Sequence, residues 1–274
     1  MRTVSSRVLS VLDAFTGAQR RLSLTEISRR TGMPMGTAHR LVGELVAWGA
    51  LERDGRGRYQ IGLRLWEVAA LAPRGPGLRE VALPFLEDLY EATHQHVQLA
   101  VLDGMDVVYV ERISGRGAVG VRSRVGGRWP AHTTGVGLVL LAHADPQVQE
   151  DYLETPLAGF TELTITDPAV LRRVLADVRR TGYAVSDRQV TMDAISVAAP
   201  VRAALGSGLT GGGGGGQRPP TPSTARPGAA DGAVVAGLSV VVGTDGPPAS
   251  ALIPAVVTAA RGISRLMFRH PEGP

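Results

Sequence analysis

Leu24-Thr25-Glu26-Ile27-Ser28-Arg29-Arg30-Thr31-Gly32-Met33-Pro34-Met35-Gly36-Thr37-Ala38-His39-Arg40-Leu41-Val42 decides how the rest of this chain is read. Leu24 and Ile27 point one face of a short helix inward, from Leu24 or Thr25 to Arg30, and Gly32 stops it. Pro34 opens a further helix to about Trp48, with Gly49 beyond its end. Ala38, Leu41, Val42, Leu45 and Val46 recur there at i, i+3, i+4 and i+7, so this helix also buries a stripe. Two helices joined by Thr31-Gly32-Met33-Pro34 make a helix-turn-helix.

Upstream, residues 5–15 read as a first helix capped by Ser5 or Ser6, with Val8, Leu9, Val11, Leu12 and Phe15 as its apolar stripe. Downstream, Ala50–Arg53 and Arg58–Ile61 flank Asp54-Gly55-Arg56-Gly57, which predicts a β-hairpin wing. A fourth helix is expected from Gly62 to Leu71. The Pro/Gly cluster at 73–77 then marks a linker between a winged helix-turn-helix at 1–72 and a second domain at 78–274.

The second domain alternates helices with strands. Helices are predicted at Leu78–Thr93, Thr133–His143, Asp167–Thr181 and Ala249–Arg269. Strands are predicted at Val97–Leu102, Asp106–Arg112, around Val119–Ser123, at Ile195–Val201 and at Val234–Val242. The pattern predicts a mixed sheet covered by helices, and an α+β class overall. Gly206 to Gly232, with six consecutive glycines at 211–216, has too little apolar surface to order itself and is expected to be a disordered insertion.

Charge follows the same division. All 29 cationic side chains are arginine, and the formal net charge is +4. Residues 1–65 hold eleven arginines against five carboxylates, a surplus of six, which leaves the remainder of the chain about two negative charges. A basic first module favours an anionic partner, here double-stranded DNA. A helix that reads DNA needs small or polar residues at its start and a cation beside them. Met35, Gly36, Thr37, His39 and Arg40 supply these, with Thr25 on the preceding helix and Arg56 and Arg58 in the wing. The alternative for any one of them is an ordinary role: Thr37 satisfying the helix start, the arginines solvated. Trp48 is expected in the core.

Several chemistries find no support. There is no cysteine, which removes disulfides and thiolate chemistry and fits a cytoplasmic location. Val97–Leu102 and Gly237–Val242 are far shorter than the roughly 20 residues of a membrane helix, so no membrane partner is expected. Strand alternation would place His94 and His96 on one face, yet two histidines without a third ligand do not make a metal site. The run at 211–216 precedes no Gly-Lys-Ser or Gly-Lys-Thr, and no Gly-x-Ser-x-Gly elbow occurs. No catalytic residue, metal or cofactor is therefore assigned. An enzyme carrying a DNA-binding appendage would need a nucleophile and base that the sequence does not offer. A constitutive DNA-binding scaffold without a ligand is the other alternative.

The chain resembles the IclR family of bacterial transcriptional regulators over almost its whole length. The resemblance rests on Ser6-Arg7-Val8-Leu9, Leu24–Ser28, Thr31–Pro34, Thr37–Val42 and Tyr59–Leu65 in the first half. In the second half it rests on Ala100–Gly104, Pro130–Gly137, Gly182–Val185, Val197–Val201 and Ala236–Val240. Leu138 stands where the family commonly has lysine, and Gly36 where a polar residue is frequent. The resemblance implies a GAF-like effector-binding domain, and a homodimer or dimer of dimers acting on a pseudo-palindromic operator. It also implies a small carboxylic or aromatic acid as effector. It maps the effector pocket onto Gly135 and Val136, Ser186 with Asp187, Ser196 and Ser239, with Ala118, Val121 and Trp129 as apolar wall. The start of a helix at Gly135-Val136 would offer free N–H groups to an anionic end.

Overall fold

The computed structural model describes residues 3–72, 76–115, 119–120, 123–204 and 232–269. The chain divides into two compact units, Met1–Ala72 and Pro73–Pro274. The first contains α1 (Val4–Asp13), α2 (Leu24–Thr31), α3 (Met35–Trp48), β1 (Leu51–Arg53), β2 (Tyr59–Ile61) and α4 (Leu63–Ala69).

Caps explain where these helices lie. Ser23 accepts from the Glu26 N–H at 3.2 Å, and Glu26 Oε2 accepts from the Ser23 N–H at 2.8 Å, a reciprocal capping box that starts α2. The Ser23 N–H and hydroxyl, both bonded to Glu26 Oε2, hold that half-buried carboxyl below its usual range. Gly32 ends α2 at φ +66. Ser28 Oγ donates to the Met33 carbonyl at 2.7 Å and fixes the turn into α3. Ala38, Leu41, Val42 and Leu45 of α3 bury against Val11, Leu22, Ile27 and Leu51. Removing a leucine of this size from water stabilises by roughly 1.5–3 kcal/mol. Leu22 joins the hairpin by exchanging two backbone bonds with Tyr59, 2.9 and 2.7 Å.

The ends differ from the sequence reading in three places. Thr3, not Ser5 or Ser6, caps α1, since its hydroxyl accepts from the Ser6 N–H at 3.1 Å. Leu9 is exposed rather than part of the buried stripe. Trp48 is 52% exposed rather than in the core, with the Arg64 guanidinium 5.6 Å over its ring. It follows the last buried position of α3, Leu45, by three residues, just before the Gly49 cap, where the chain turns away from the core.

The second unit opens with α5 (Pro76–Thr93), two residues earlier than expected, then β3 (His96–Asp103) and β4 (Asp106–Ile113). The short β5 (Arg128–Pro130) and a 3-10 turn at Ala131–Thr133 lead to α6 (Gly135–Ala142), α7 (Pro146–Leu153) and α8 (Pro168–Thr181). β6 (Ala184–Asp187), β7 (Ala194–Ala203), β8 (Ala233–Gly243) and α9 (Ala249–Arg269) complete it. Six strands form one sheet in the order β5-β4-β3-β8-β7-β6. Every pairing is antiparallel, so the sheet is not mixed in direction, while the α+β class holds. The expected strand around 119–123 is replaced: its described residues are irregular, and β5 pairs with β4 instead. The insertion expected at 206–232 lies outside the described residues except for Gly232.

Alternation along the strands sorts side chains to two layers. Val97, Leu99, Val197, Leu238 and Val240 meet α5 and α9 on one face. Ala100, Ala198 and Tyr109 meet α6 and α8 on the other. Helix α9 is long and apolar enough to cross a membrane by length and composition. Its stripe of Leu252, Val256, Ala260, Ile263 and Met267 packs against the sheet. Helix α6 is buried along all eight residues. It begins at Gly135 rather than Thr133 because Thr134 caps it, accepting from the Gly137 N–H at 3.1 Å.

Two kinds of outcome are expected from these contacts, the first for substitutions and the second for pH. A Cβ at Gly137 would lie 2.0 Å from the Ala131 carbonyl oxygen, so Gly137→Ala is expected to destabilise the second unit by about 1–3 kcal/mol in urea unfolding. Ser23→Ala, which removes only a cap, should cost the first unit about 1 kcal/mol. Secondly, burial holds His96, His132 and His143 below the ordinary imidazole value, against bonds to carbonyls that push the other way. The neutral rings therefore favour the folded state. That contribution is complete above about pH 6.5 and is lost as pH falls from there through the lower folded values. Thermal melts of the second unit should drop between pH 7 and 5; an unchanged midpoint would contradict the assignment.

Candidate functional site

The first unit presents its cations around the start of α3. Met35, Gly36, His39 and Arg40 are exposed, Thr37 is half-buried, and Ala38 between them anchors the helix in the core. No atom lies within 4 Å of where a Gly36 side chain would be, so the backbone is open to close approach there. Thr25 is exposed on α2. Arg40 pairs with Glu44 at 2.7 Å one turn on, a solvent-exposed pair that a stronger anion can displace. In the wing, Asp54 Oδ1 accepts from the Arg56 and Arg58 N–H groups, each at 2.9 Å, which shapes the turn. The Arg56 side chain is exposed, with no ion pair among the described residues. Arg58 donates to the Arg21 carbonyl and lies 3.8 Å from Glu26, so it also ties the wing to α2.

The second unit holds a cavity of about 60 Å³ on the α6 face of the sheet. Its walls bring together three residues expected from the sequence: Trp129, Ser186 and Ser196. Ser186 donates to the Thr133 carbonyl at 2.8 Å. Trp129 meets Phe160 edge-on, centroids 5.1 Å apart.

The other expected residues lie elsewhere. Gly135 and Val136 are buried as the first two residues of α6, the helix start expected there, but do not line the cavity; Thr133 and Thr134, just ahead of the helix, face it. A Cβ on Gly135 would sit 2.8 Å from Ser196 Oγ, so this position packs against the sheet. Asp187 is exposed and paired with Arg188 at 2.8 Å, since alternation along β6 turns it away from Ser186. Ser239 is fully buried on the cavity's face of the sheet, two residues from the wall residue Val241. Ala118 and Val121 lie outside the described residues. The two histidines His94 and His96 do not share a strand face: His94 precedes the strand at φ +53 and meets Tyr90, while His96 bonds the Val119 carbonyl at 2.7 Å.

Sequence reasoning missed Gln98, Tyr109, Ser123 and Gln189 among the walls. Gln98 donates to Ser123 Oγ at 2.8 Å and is 3% exposed. A glutamine inside the apolar strand Val97–Leu102 was the available signal, since a buried amide needs partners. Tyr109 lies deep enough that burial raises its phenol well above the ordinary range. Gln189 crosses to the preceding loop, accepting from the Ile165 N–H at 3.2 Å, while its own carbonyl accepts from Thr164 Oγ1 at 2.7 Å. The walls thus combine the aromatic rings of Tyr109 and Trp129 with several hydroxyls and amides, a lining suited to holding a small polar molecule.

The helix-turn-helix and the sheet domain each have counterparts. Residues 5–55 match the IclR helix-turn-helix domain, and residues 74–210 match the bacterial transcriptional regulator IclR C-terminal domain. The chain is 32% identical over 197 residues to the HTH-type transcriptional regulator XynR of Escherichia coli, covering 71% of this chain and 78% of that protein. It is 30% identical over 209 residues to the Pca regulon regulatory protein of Pseudomonas putida, covering 76% and 72%. Among solved structures it is similar to an IclR homolog from Microbacterium hydrocarbonoxydans complexed with 4-hydroxybenzoate. There the TM-score is 0.80 at 34% identity, with 96% of this chain and 98% of that chain covered. A basic helix-turn-helix, an antiparallel sheet domain with a polar cavity, and matches to both halves of one family together place the chain in the IclR family of bacterial transcriptional regulators.

Proposed function

We propose that this regulator reads a pseudo-palindromic operator as a homodimer, or a dimer of dimers, and that a small organic acid in the second unit's cavity controls that binding. The carrying observation is the exposed start of α3, where Met35, Gly36, Thr37, His39 and Arg40 stand on a helix anchored by Ala38 and Leu41. Such a helix enters the major groove with its first turns at the base edges. Arg40 takes a guanine edge or a phosphate, His39 and Thr37 make polar contacts, and Thr25 and Arg56 reach flanking phosphates. Arg58 acts in both senses, positioning the wing and adding positive charge beside the duplex.

The cavity supports the second part. Hydroxyls and amides line the cavity together with Trp129 and Tyr109, which fits a compact ligand with a polar end and an apolar body. The 4-hydroxybenzoate bound to the Microbacterium homolog is a ligand of that kind. Control requires that the acid bind one conformation of the regulator better than another, since equal affinity shifts nothing. A cytoplasmic site of action accords with this reading.

The test is equilibrium binding of the purified chain to its own upstream DNA, followed by anisotropy of a labelled duplex across salt concentrations. Selective binding is expected, with affinity falling steeply as salt rises. Arg40→Ala should weaken it about 10- to 100-fold, the equivalent of roughly 1–3 kcal/mol. A saturating effector should change operator affinity about 5- to 150-fold. Equal, weak binding to unrelated duplexes, unaffected by Arg40→Ala, would overturn the reading.

A further inference from the structure

Two neighbouring rungs of the sheet carry several polar side chains side by side. Strand register aligns Ser186, Ser196, Val241 and His96 across one rung, and Ala184, Ala198, Ser239, Gln98 and Arg112 across the next. Both rungs lie on the cavity's face. Arg112 reaches that face through an irregularity in β4. Leu99 pairs with Glu111 and Ala100 with Tyr109, so Val110 is an extra residue in the ladder. A bulge of this kind re-aims the residues that follow it. Val110 packs in the layer of α5 and α9, Glu111 pairs with Arg79 of α5, and Tyr109 and Arg112, three residues apart, both turn to the cavity layer.

The buried side-chain polar atoms without a hydrogen-bond partner among the described residues are three: Arg112 Nε, Ser239 Oγ and His96 Nδ1. All three belong to these two rungs. Arg112 donates from Nη1 to the Ser123 carbonyl and faces no carboxylate among the described residues; Glu111 is engaged by Arg79 on the opposite layer. Gln98, between Arg112 and Ser239, is itself engaged with Ser123, a wall residue like it. His96 differs in kind. Its Nε2 must donate to the Val119 carbonyl, which leaves Nδ1 of the neutral ring an acceptor, and both burial and the Arg112 charge disfavour its protonation. The donors are therefore Arg112 and Ser239, and the acceptor suits a neutral O–H or N–H.

We propose that Arg112, brought into the cavity layer by the Val110 bulge beside Gln98 and Ser239, is the anchor for the carboxylate of the effector. This rests on the reading of the cavity as an acid-binding site and adds which residue recognises the charge. Arg112 is half-buried and stands beside the wall residues Gln98 and Ser123 rather than in the wall itself. A partly shielded guanidinium without an internal counter-ion favours an anionic ligand over its neutral isostere, and its paired N–H geometry suits a carboxylate.

The experiment is calorimetric titration of the full chain with 4-hydroxybenzoate and benzoate, each beside its amide, with inorganic phosphate as competitor. Wild type is expected to prefer an acid over its amide by at least about tenfold. In Arg112→Gln the acid should weaken about 10- to 100-fold and the preference should collapse toward one, while the amide changes little. Arg112→Lys, which keeps the charge without the fork, should retain part of the preference and keeps the test alive if the glutamine variant misfolds. Acid binding and preference unchanged in both variants would overturn the role of Arg112 while leaving the cavity an acid site. Amides binding as well as acids, or phosphate competing on equal terms, would overturn the carboxylate assignment. Failure of every acid to bind wild type would overturn the cavity reading and this proposal together.

Discussion

The closeness of helix α6 to the sheet governs the second unit. Val136 lies against Gly237 of β8 so tightly that a Cβ there would stand 3.0 Å from the valine's own. At Gly137 the 3-10 turn folds back until the Ala131 carbonyl occupies the space of a side chain. With all eight residues buried, α6 cannot shift without opening the core on both sides. That immobility fixes Thr133 and Thr134 just ahead of the helix. Ser186 then holds the Thr133 carbonyl, and the cavity gains a wall of defined shape. The same close packing leaves polar atoms beneath, such as Ser239 Oγ, without a partner, at a cost on the order of 1–3 kcal/mol that the rest of the core must offset.

How much of this was legible in the sequence depended on whether a signal was local. The helix-turn-helix could be read because its cues are contiguous: Gly32 ends α2, Pro34 precedes α3, and the stripe from Ala38 to Leu45 has helical spacing. Asp167-Pro168 and Gly182 bracketed α8 in the same way. Asp145-Pro146 carries the same start signal for α7, but its eight residues lack a strong stripe and the helix was not anticipated. Strand β6 was also missed, since four residues are too few to show alternation.

The cavity was harder, because its residues are set by register. Trp129, Ser186 and Ser196 came through family resemblance and do line it. Asp187 did not, since one step along a strand reverses the face. Arg112 was invisible for a related reason. Strict alternation from Tyr109 would send it to the opposite layer, and only the bulge at Val110, a property of pairing with β3, reverses that. Gly135 and Val136 do stand at the start of α6, but the helix packs so closely on the sheet that both are buried, and the residues just ahead of them face the cavity instead.

The three tryptophans of the chain are divided in a way that gives each unit its own optical signature. Trp48 and Trp66 stand in solvent on the first unit, 52% and 66% exposed. Trp129 sits in the cavity wall of the second, half-buried and in contact with Phe160. Emission from the first pair is red-shifted and open to collisional quenchers, whereas Trp129 emits from a drier environment. A change at the first unit and a change at the cavity of the second would thus perturb separable parts of one intrinsic spectrum, and the unmodified protein reports on its two units without a dye.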